Sequence, residues 1–172
     1  MVLLRRKDGS QNFHLPFSRY KKSFGNHFVN FWLGLNNMHL FASAEPHELR
    51  VELEDWEGNT TYAKYEHFYV NPEHFNYKLS VRGYSGTAGD ALASANEMAF
   101  TTENSDNDRN QNENCAIISK ASWWFNADCF QSVLTGPYSN SPYGGRGLIW
   151  SPWKGPDYSL KSCEMKIRPS RG

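Results

Sequence analysis

From Glu48 to Glu54 apolar and charged side chains alternate without a break, and Asp55-Trp56 follow. Leu49, Val51 and Leu53 fall on one side; Glu48, Arg50, Glu52 and Glu54 fall on the other. A period of two marks an antiparallel strand with one face buried and one in water. Glu57-Gly58-Asn59 follows as a turn, and residues 60–68 resume a strand pattern, so the two runs predict a hairpin. Residues 77–81 alternate again, and the C-terminal run from Lys166 to Arg168 alternates up to Pro169. Val2-Leu3-Leu4 reads as a strand entering the turn at Asp8-Gly9.

Helical signals are fewer. Tyr20 and Phe24 share one face of a short helix expected over residues 17–24, with Gly25 as its stop. The glycine-rich stretch 83–89 predicts a turn, and residues 91–100 fit neither period. Residues 103–114 contain no large apolar side chain and predict a solvated loop. Gly, Ser, Asn and Pro dominate residues 136–147, a second long loop. Long loops in a compact domain are usually functional. The pattern predicts an α+β domain: a twisted, mostly antiparallel sheet with short helices and long functional loops.

Composition narrows the function classes. The 172 residues suit one domain able to bury a core. Lys plus Arg and Asp plus Glu are 18 each, so no basic excess points to nucleic acid. The apolar stretch from Phe28 to Leu35 is interrupted by Asn30 and is too short to span a bilayer. Six Trp, nine Tyr and eleven Phe supply an unusual aromatic load, and Trp123-Trp124 is assigned to the core. Arg5-Arg6-Lys7 is expected to be a solvated strand edge. No His-Glu-x-x-His, Gly-x-Ser-x-Gly or phosphate-binding loop occurs, so the enzyme class has no support. Asn59-Thr60-Thr61 is an N-glycosylation acceptor at Asn59, in the predicted hairpin turn.

Asn104, Asp106 and Asp108 sit at alternate positions in the 103–114 loop. Alternate carboxylates can curl round a hard cation that wants six to eight oxygens. An EF-hand would need Gly and Glu where Arg109 and Cys115 stand, so that motif is excluded.

Four segments together resemble the fibrinogen C-terminal (fibrinogen-related) domain. They are Arg5-Arg6-Lys7-Asp8-Gly9-Ser10-Gln11-Asn12-Phe13 with Tyr20 and Phe24-Gly25; Phe31-Trp32-Leu33-Gly34-Leu35-Asn36-Asn37; Ala88-Gly89-Asp90 with Phe100-Thr101-Thr102 and Asn114-Cys115-Ala116; and Trp123-Trp124-Phe125 with Cys129, Leu148-Ile149-Trp150, Tyr158-Ser159-Leu160-Lys161 and Glu164-Met165-Lys166-Ile167-Arg168. The order matches along nearly the whole chain. Asn37-Met38-His39-Leu40, Tyr62-Ala63-Lys64-Tyr65 and Trp153-Lys154-Gly155 look most like microfibril-associated glycoprotein 4 and ficolin-like members. The resemblance implies that residues 1–172 form such a domain without its N-terminal sub-region.

The resemblance also implies site residues. Cys115 and Cys129 match the family's C-terminal disulfide, which leaves Cys163 as an extra thiol, expected to be buried beside Met165 and Ile167. Ca²⁺ would take carboxylates from Asp106 and Asp108 and backbone carbonyls from Asn110 and Asn112. A ligand pocket would gather Asp128, Cys129, Phe130, Tyr138, Tyr143 and Tyr158, with an uncommon cis peptide expected at Asp128-Cys129. Phe130 stands where many lectin relatives have His, which removes a donor for an acetyl carbonyl. The implied function is extracellular, Ca²⁺-dependent, lectin-like recognition of acetylated or other carbohydrate ligands in innate immunity or matrix. The alternative is a protein-interaction module that binds receptors or matrix proteins. An oligomer is possible.

Overall fold

A computed structural model describes residues 1–140 and 146–171. Its centre is a seven-stranded antiparallel sheet. The strands are β1 (Val2–Arg6), β2 (Phe24–Asn26), β3 (Asn30–Trp32), β4 (His47–Glu54), β5 (Thr60–Val70), β6 (Leu79–Gly86) and β9 (Ser162–Pro169), in the spatial order β2-β3-β1-β9-β4-β5-β6. β7 (Ser132–Val133) and β8 (Ile149–Trp150) form a separate two-stranded ribbon. The helices are short: α1 (Phe17–Tyr20), α2 (Leu35–Ala44), α3 (Cys115–Ser119) and α4 (Ser151–Lys154). This is the expected mostly antiparallel sheet with few short helices.

The predicted hairpin is β4 and β5, in register from Leu49 opposite Tyr65 to Glu54 opposite Thr60. Leu49, Val51 and Leu53 are buried and lie opposite Ile167, Met165 and Cys163 of β9. The outward face places like charges opposite each other, Arg50 against Lys166 and Glu52 against Glu164. Such pairs are unfavourable alone. Opposite charges offset them: Lys166 Nζ lies 3.3 Å from Glu52 on the diagonal, and Arg5 of β1 lies opposite Glu164 at 3.0 Å.

Several local expectations change. The helix expected over 17–24 stops at Tyr20, and Phe24 begins β2. Gly25 has φ +87°, and a Cβ there would lie 2.2 Å from Asn30 O, so it serves the β2–β3 hairpin and does not end a helix. Asn36 and Asn37, both poor helix formers, lie in α2, which the sequence pattern did not predict. Tertiary partners accept them: Asn37 Nδ2 donates to Leu33 O at 2.9 Å, and Asn36 Oδ1 accepts from the Tyr77 hydroxyl. The stretch 83–89 is not simply a turn, because β6 continues to Gly86. A Cβ on Gly86 would meet Tyr62 O at 2.5 Å, so glycine there permits close strand pairing.

The basic triplet is not a solvated edge. β1 lies between β3 and β9, and Arg6 is 1% exposed. Its Nη1 donates to Leu134 O and Gly136 O at 3.1 and 2.9 Å. The guanidinium stacks 3.9 Å from the Phe13 ring centre. Alternation explains this: Leu4 and Arg6 share the inward face, and the two carbonyls satisfy Arg6 Nη1.

The core is aromatic. Tyr20, Trp32, Phe100, Trp124 and Trp123 form a chain of ring contacts at 5.1 to 5.3 Å. Every indole N–H in the core is satisfied: Trp32 by Tyr20 O, Trp124 by Tyr77 O, Trp150 by Gly89 O and Trp123 by Ser132 Oγ. Trp123 and Trp124 are therefore core residues, as expected. Cys163 is a free, buried thiol, and burial pushes it up to about 12. Replacing Trp124 with Ala opens a cavity and strands Tyr77 O, so we expect a loss of about 3–5 kcal/mol in a urea melt.

Candidate functional site: the acidic loop and the disulfide turn

Residues 103–114 form the expected loop, but it is internally ordered. Asp106 Oδ1 accepts from Asp108 N at 3.3 Å, and Asp108 Oδ1 accepts from Asn110 N at 3.0 Å. Asn110 Oδ1 then accepts from Asn112 N and Glu113 N, both at 3.0 Å. Each oxygen turns the chain for the residue two ahead, which is the Asx-turn habit of Asp and Asn. The other Asp108 oxygen accepts from Cys115 N at 2.8 Å. Asn114 caps α3 by accepting from Ala116 N at 2.8 Å.

Burial pushes the Asp108 carboxyl above its ordinary range, and the neighbouring Asp106 carboxylate adds to the rise. Two backbone N–H donors oppose the shift without cancelling it. Two adjacent carboxylates that repel each other suit a cation between them. Among the described residues no three His, Cys, Asp or Glu side chains converge on a metal position. A cation here would take Asp106 and Asp108 and complete its shell from backbone carbonyls and water. The carbonyls of Asn110 and Asn112 accept no hydrogen bond from the described residues. Such an all-oxygen set fits a hard ion such as Ca²⁺.

The loop is tied to residues 126–131. Cys115 and Cys129 form the disulfide, at a sequence separation of 14. Asn110 Nδ2 donates to Ala127 O at 3.3 Å and lies 3.9 Å from Cys129 Sγ. Asn126 Nδ2 donates to Ser94 O at 3.0 Å. Asp128 Oδ1 accepts from Phe130 N at 2.9 Å, and Ser151 Oγ donates to Phe130 O. Ala127 and Asp128 are exposed and Phe130 is half-buried. The expected cis bond at Asp128-Cys129 is absent: the described residues contain no cis peptide. The Asp128 side chain turns the chain through trans bonds.

The remaining pocket candidates stand elsewhere. Tyr143 lies outside the described residues. The Tyr138 hydroxyl lies 2.6 Å from Lys161 O and 3.0 Å from Lys7 O. The Tyr158 hydroxyl donates to Glu57 at 2.9 Å and accepts from Trp56 N at 3.0 Å. Tyr158 thus serves the β4–β5 turn, and the Tyr138 ring packs 6.0 Å from the Trp56 ring beside it. The Asp55 carboxylate anchors that turn. It is fully buried, lies 2.8 Å from Lys154 Nζ, and accepts from Asn59 N and Asn59 Nδ2 at 2.8 and 2.9 Å. Asn59 is exposed, but its acceptor nitrogen is held by Asp55. Sequence spacing did not reveal the Asn110 bridge, the Asp108–Cys115 bond or the Asp55–Lys154 pair. The only signal was the density of Asx residues in 103–114.

The family model for the C-terminal globular domain of fibrinogen beta and gamma chains matches residues 1–170. The chain belongs to this family. Fibrinogen C domain-containing protein 1 of Homo sapiens is 42% identical over 99% of the chain, which spans 38% of that relative. Fibrinogen-like protein 1 of Bos taurus is 42% identical over 98% of the chain and 59% of its own length. The chain therefore covers well under two thirds of these relatives. The fibrinogen-like globe domain of human ANGPTL2 superposes with a TM-score of 0.93 at 40% identity, over 99% of this chain and 80% of that one. Lamprey fibrin D-dimer, solved with the peptide Gly-His-Arg-Pro-amide, gives 0.93 at 32% identity, over 99% and 61%. This fibrinogen C-terminal domain is a recognition or interaction module by family.

Burial pushes Asp55 up, but Lys154 and the Asn59 donors outweigh it and hold the carboxyl well below its usual range. The stability it contributes is present above about pH 4, the ordinary carboxylate value, and is lost as pH falls further. We expect the melting temperature of the wild type to fall more steeply below pH 4 than that of Asp55→Asn. Parallel pH–melting curves would refute the assignment.

Proposed function

We propose that this domain works outside the cell as a Ca²⁺-supported recognition module that presents the 126–131 turn to its ligand. The observation that carries the reading is the Asn110 side chain, which ties the acidic loop to Ala127 beside Cys129. Ca²⁺ would supply a fixed positive centre between Asp106 and Asp108. Asp108 holds the start of α3 through Cys115 N, and Asn110 holds the turn. Ordering the loop would therefore pre-organise the turn and raise ligand affinity. The disulfide suits an oxidising, extracellular setting.

Two ligand classes have specific support. A peptide or protein ligand is favoured by the half-buried Phe130 beside the exposed Asp128, an apolar seat next to a negative charge. The lamprey relative was solved with a peptide ligand, which supports the same class. An acetylated carbohydrate is favoured by the ficolin-like motifs. It would use the same turn with Phe130 as an apolar wall for a methyl group. The engaged hydroxyls of Tyr138 and Tyr158 and the missing His weigh against tight acetyl binding.

Saturating Ca²⁺ at about 100 times its Kd would stabilise the fold by roughly 2.7 kcal/mol. That corresponds to a rise in melting temperature of about 5–10 °C for a domain of this size. We expect the rise in wild type and its loss in Asp108→Asn; an unchanged wild-type melt at millimolar Ca²⁺ would sink the cation reading. Ligand class is read by retention on N-acetylated resin against a displayed peptide library, each with and without EDTA. Phe130→His should improve retention on the resin if acetyl groups are the ligand. Retention that ignores EDTA would remove the coupling between loop and turn.

A further inference from the structure

Arg6 is a buried cation with no carboxylate partner among the described residues. Two backbone carbonyls accept from its Nη1, and its Nε has no hydrogen-bond partner among the described residues. Buried charges are normally paired, because an uncompensated one is costly. Burial weakens the charged form of Arg6, yet an arginine does not give up its proton in a protein. Its field must therefore act on whatever lies nearby.

Arg6 forms part of the wall of a cleft of about 430 Å³. Residues 9–14 make one side, and Gly136, Pro137 and Tyr138 make the other. Lys120 stands at the rim, exposed, with φ +50° just past the end of α3. The amide side chains of Gln11 and Asn12 also line it, and no Asp or Glu does. Asp8, just before the wall, is engaged by Ser10 N at 2.9 Å, by Ser10 Oγ at 2.6 Å and by Asn30 Nδ2 at 2.6 Å. His14, also in the lining, is directly paired with the Glu103 carboxylate. In a chain of zero net charge, the described lining holds Arg6 and Lys120 and no carboxylate, and the nearby Glu103 is taken up by His14.

We propose that this cleft is an oxyanion subsite that takes the sulfate or carboxylate of a sugar-sized ligand. Lys120 is the direct charged partner. Arg6 is the fixed positive charge in the wall, and the Asn12 amide supplies a neutral donor, while Gln11 Nε2 donates to Asn12 O at 2.8 Å. The volume lies in the range of small-molecule sites of about 300–1,000 Å³, which suits one sugar unit better than a bare ion. The subsite uses neither the acidic loop nor the 126–131 turn, so it stands whether or not Ca²⁺ binds.

The test is calorimetric titration of the whole domain with glucose 6-sulfate and, separately, sodium glucuronate, at fixed ionic strength. Lys120→Gln is compared with Lys22→Gln, an exposed lysine outside the cleft. We expect saturable binding of at least one probe, and which one binds distinguishes sulfate from carboxylate. Lys120→Gln should weaken it about fivefold, the value of one partly exposed charged contact. Lys22→Gln should leave it unchanged, and amide NMR shifts should cluster at residues 9–14 and 136–138. The melting rise with Ca²⁺ should be the same in Lys120→Gln as in wild type, which separates this test from that of the cation. No saturable binding of either probe, or equal weakening by both lysine variants, would overturn the proposal.

Discussion

Buried indole N–H groups hold this domain to one shape. A tryptophan brings a large apolar area into the core but carries a donor that must find a partner there. Trp32, Trp124 and Trp150 each donate to a backbone carbonyl, and Trp123 donates to Ser132. The accepting residues lie in connections or short elements, where regular pairing offers little constraint. Between β6 and β9 the chain has only a few short elements. These side-chain bonds therefore do for that half what strand pairing does for the sheet. The acidic loop and the disulfide turn rest on the same aromatic bed: Thr101 pairs with Trp123, and the loop begins directly after it.

How much was legible depended on the range of the interaction. The β4–β5 hairpin was readable because alternation and a Gly-Asn turn are local. The buried face of β9 was readable for the same reason. The α2 helix was not, because Asn36 and Asn37 are poor helix residues that gain partners at Tyr77 and Leu33. The inward turn of Arg6 was hidden because its acceptors, Leu134 and Gly136, lie 128 and 130 residues away. A basic triplet reads as surface unless those carbonyls are known.

The candidate site divides in the same way. The alternating acids and the cysteine pair were visible as spacing and as family pattern. The wall tyrosines were visible as residue types only. Their hydroxyls reach across the chain, Tyr138 to Lys161 just before β9 and Tyr158 to Glu57 in the β4–β5 turn. What the structure adds is connectivity. Asn110 turns its own loop through its oxygen and reaches Ala127 through its nitrogen. One amide thus carries two otherwise separate segments.

The position of β9 has a consequence for how the domain is made. The last strand in sequence lies between β1 and β4, in the interior of the sheet. Until it is in place, the β2-β3-β1 group and the β4-β5-β6 group have no shared edge. A ribosome-bound chain can form each three-stranded half but cannot join them. Closure then brings together residues more than 150 positions apart, such as Arg6 and Cys163. High contact order of this kind slows folding and leaves strand edges open meanwhile. Assembly of this domain is therefore a late, all-at-once event, exposed to mispairing until synthesis has passed residue 169.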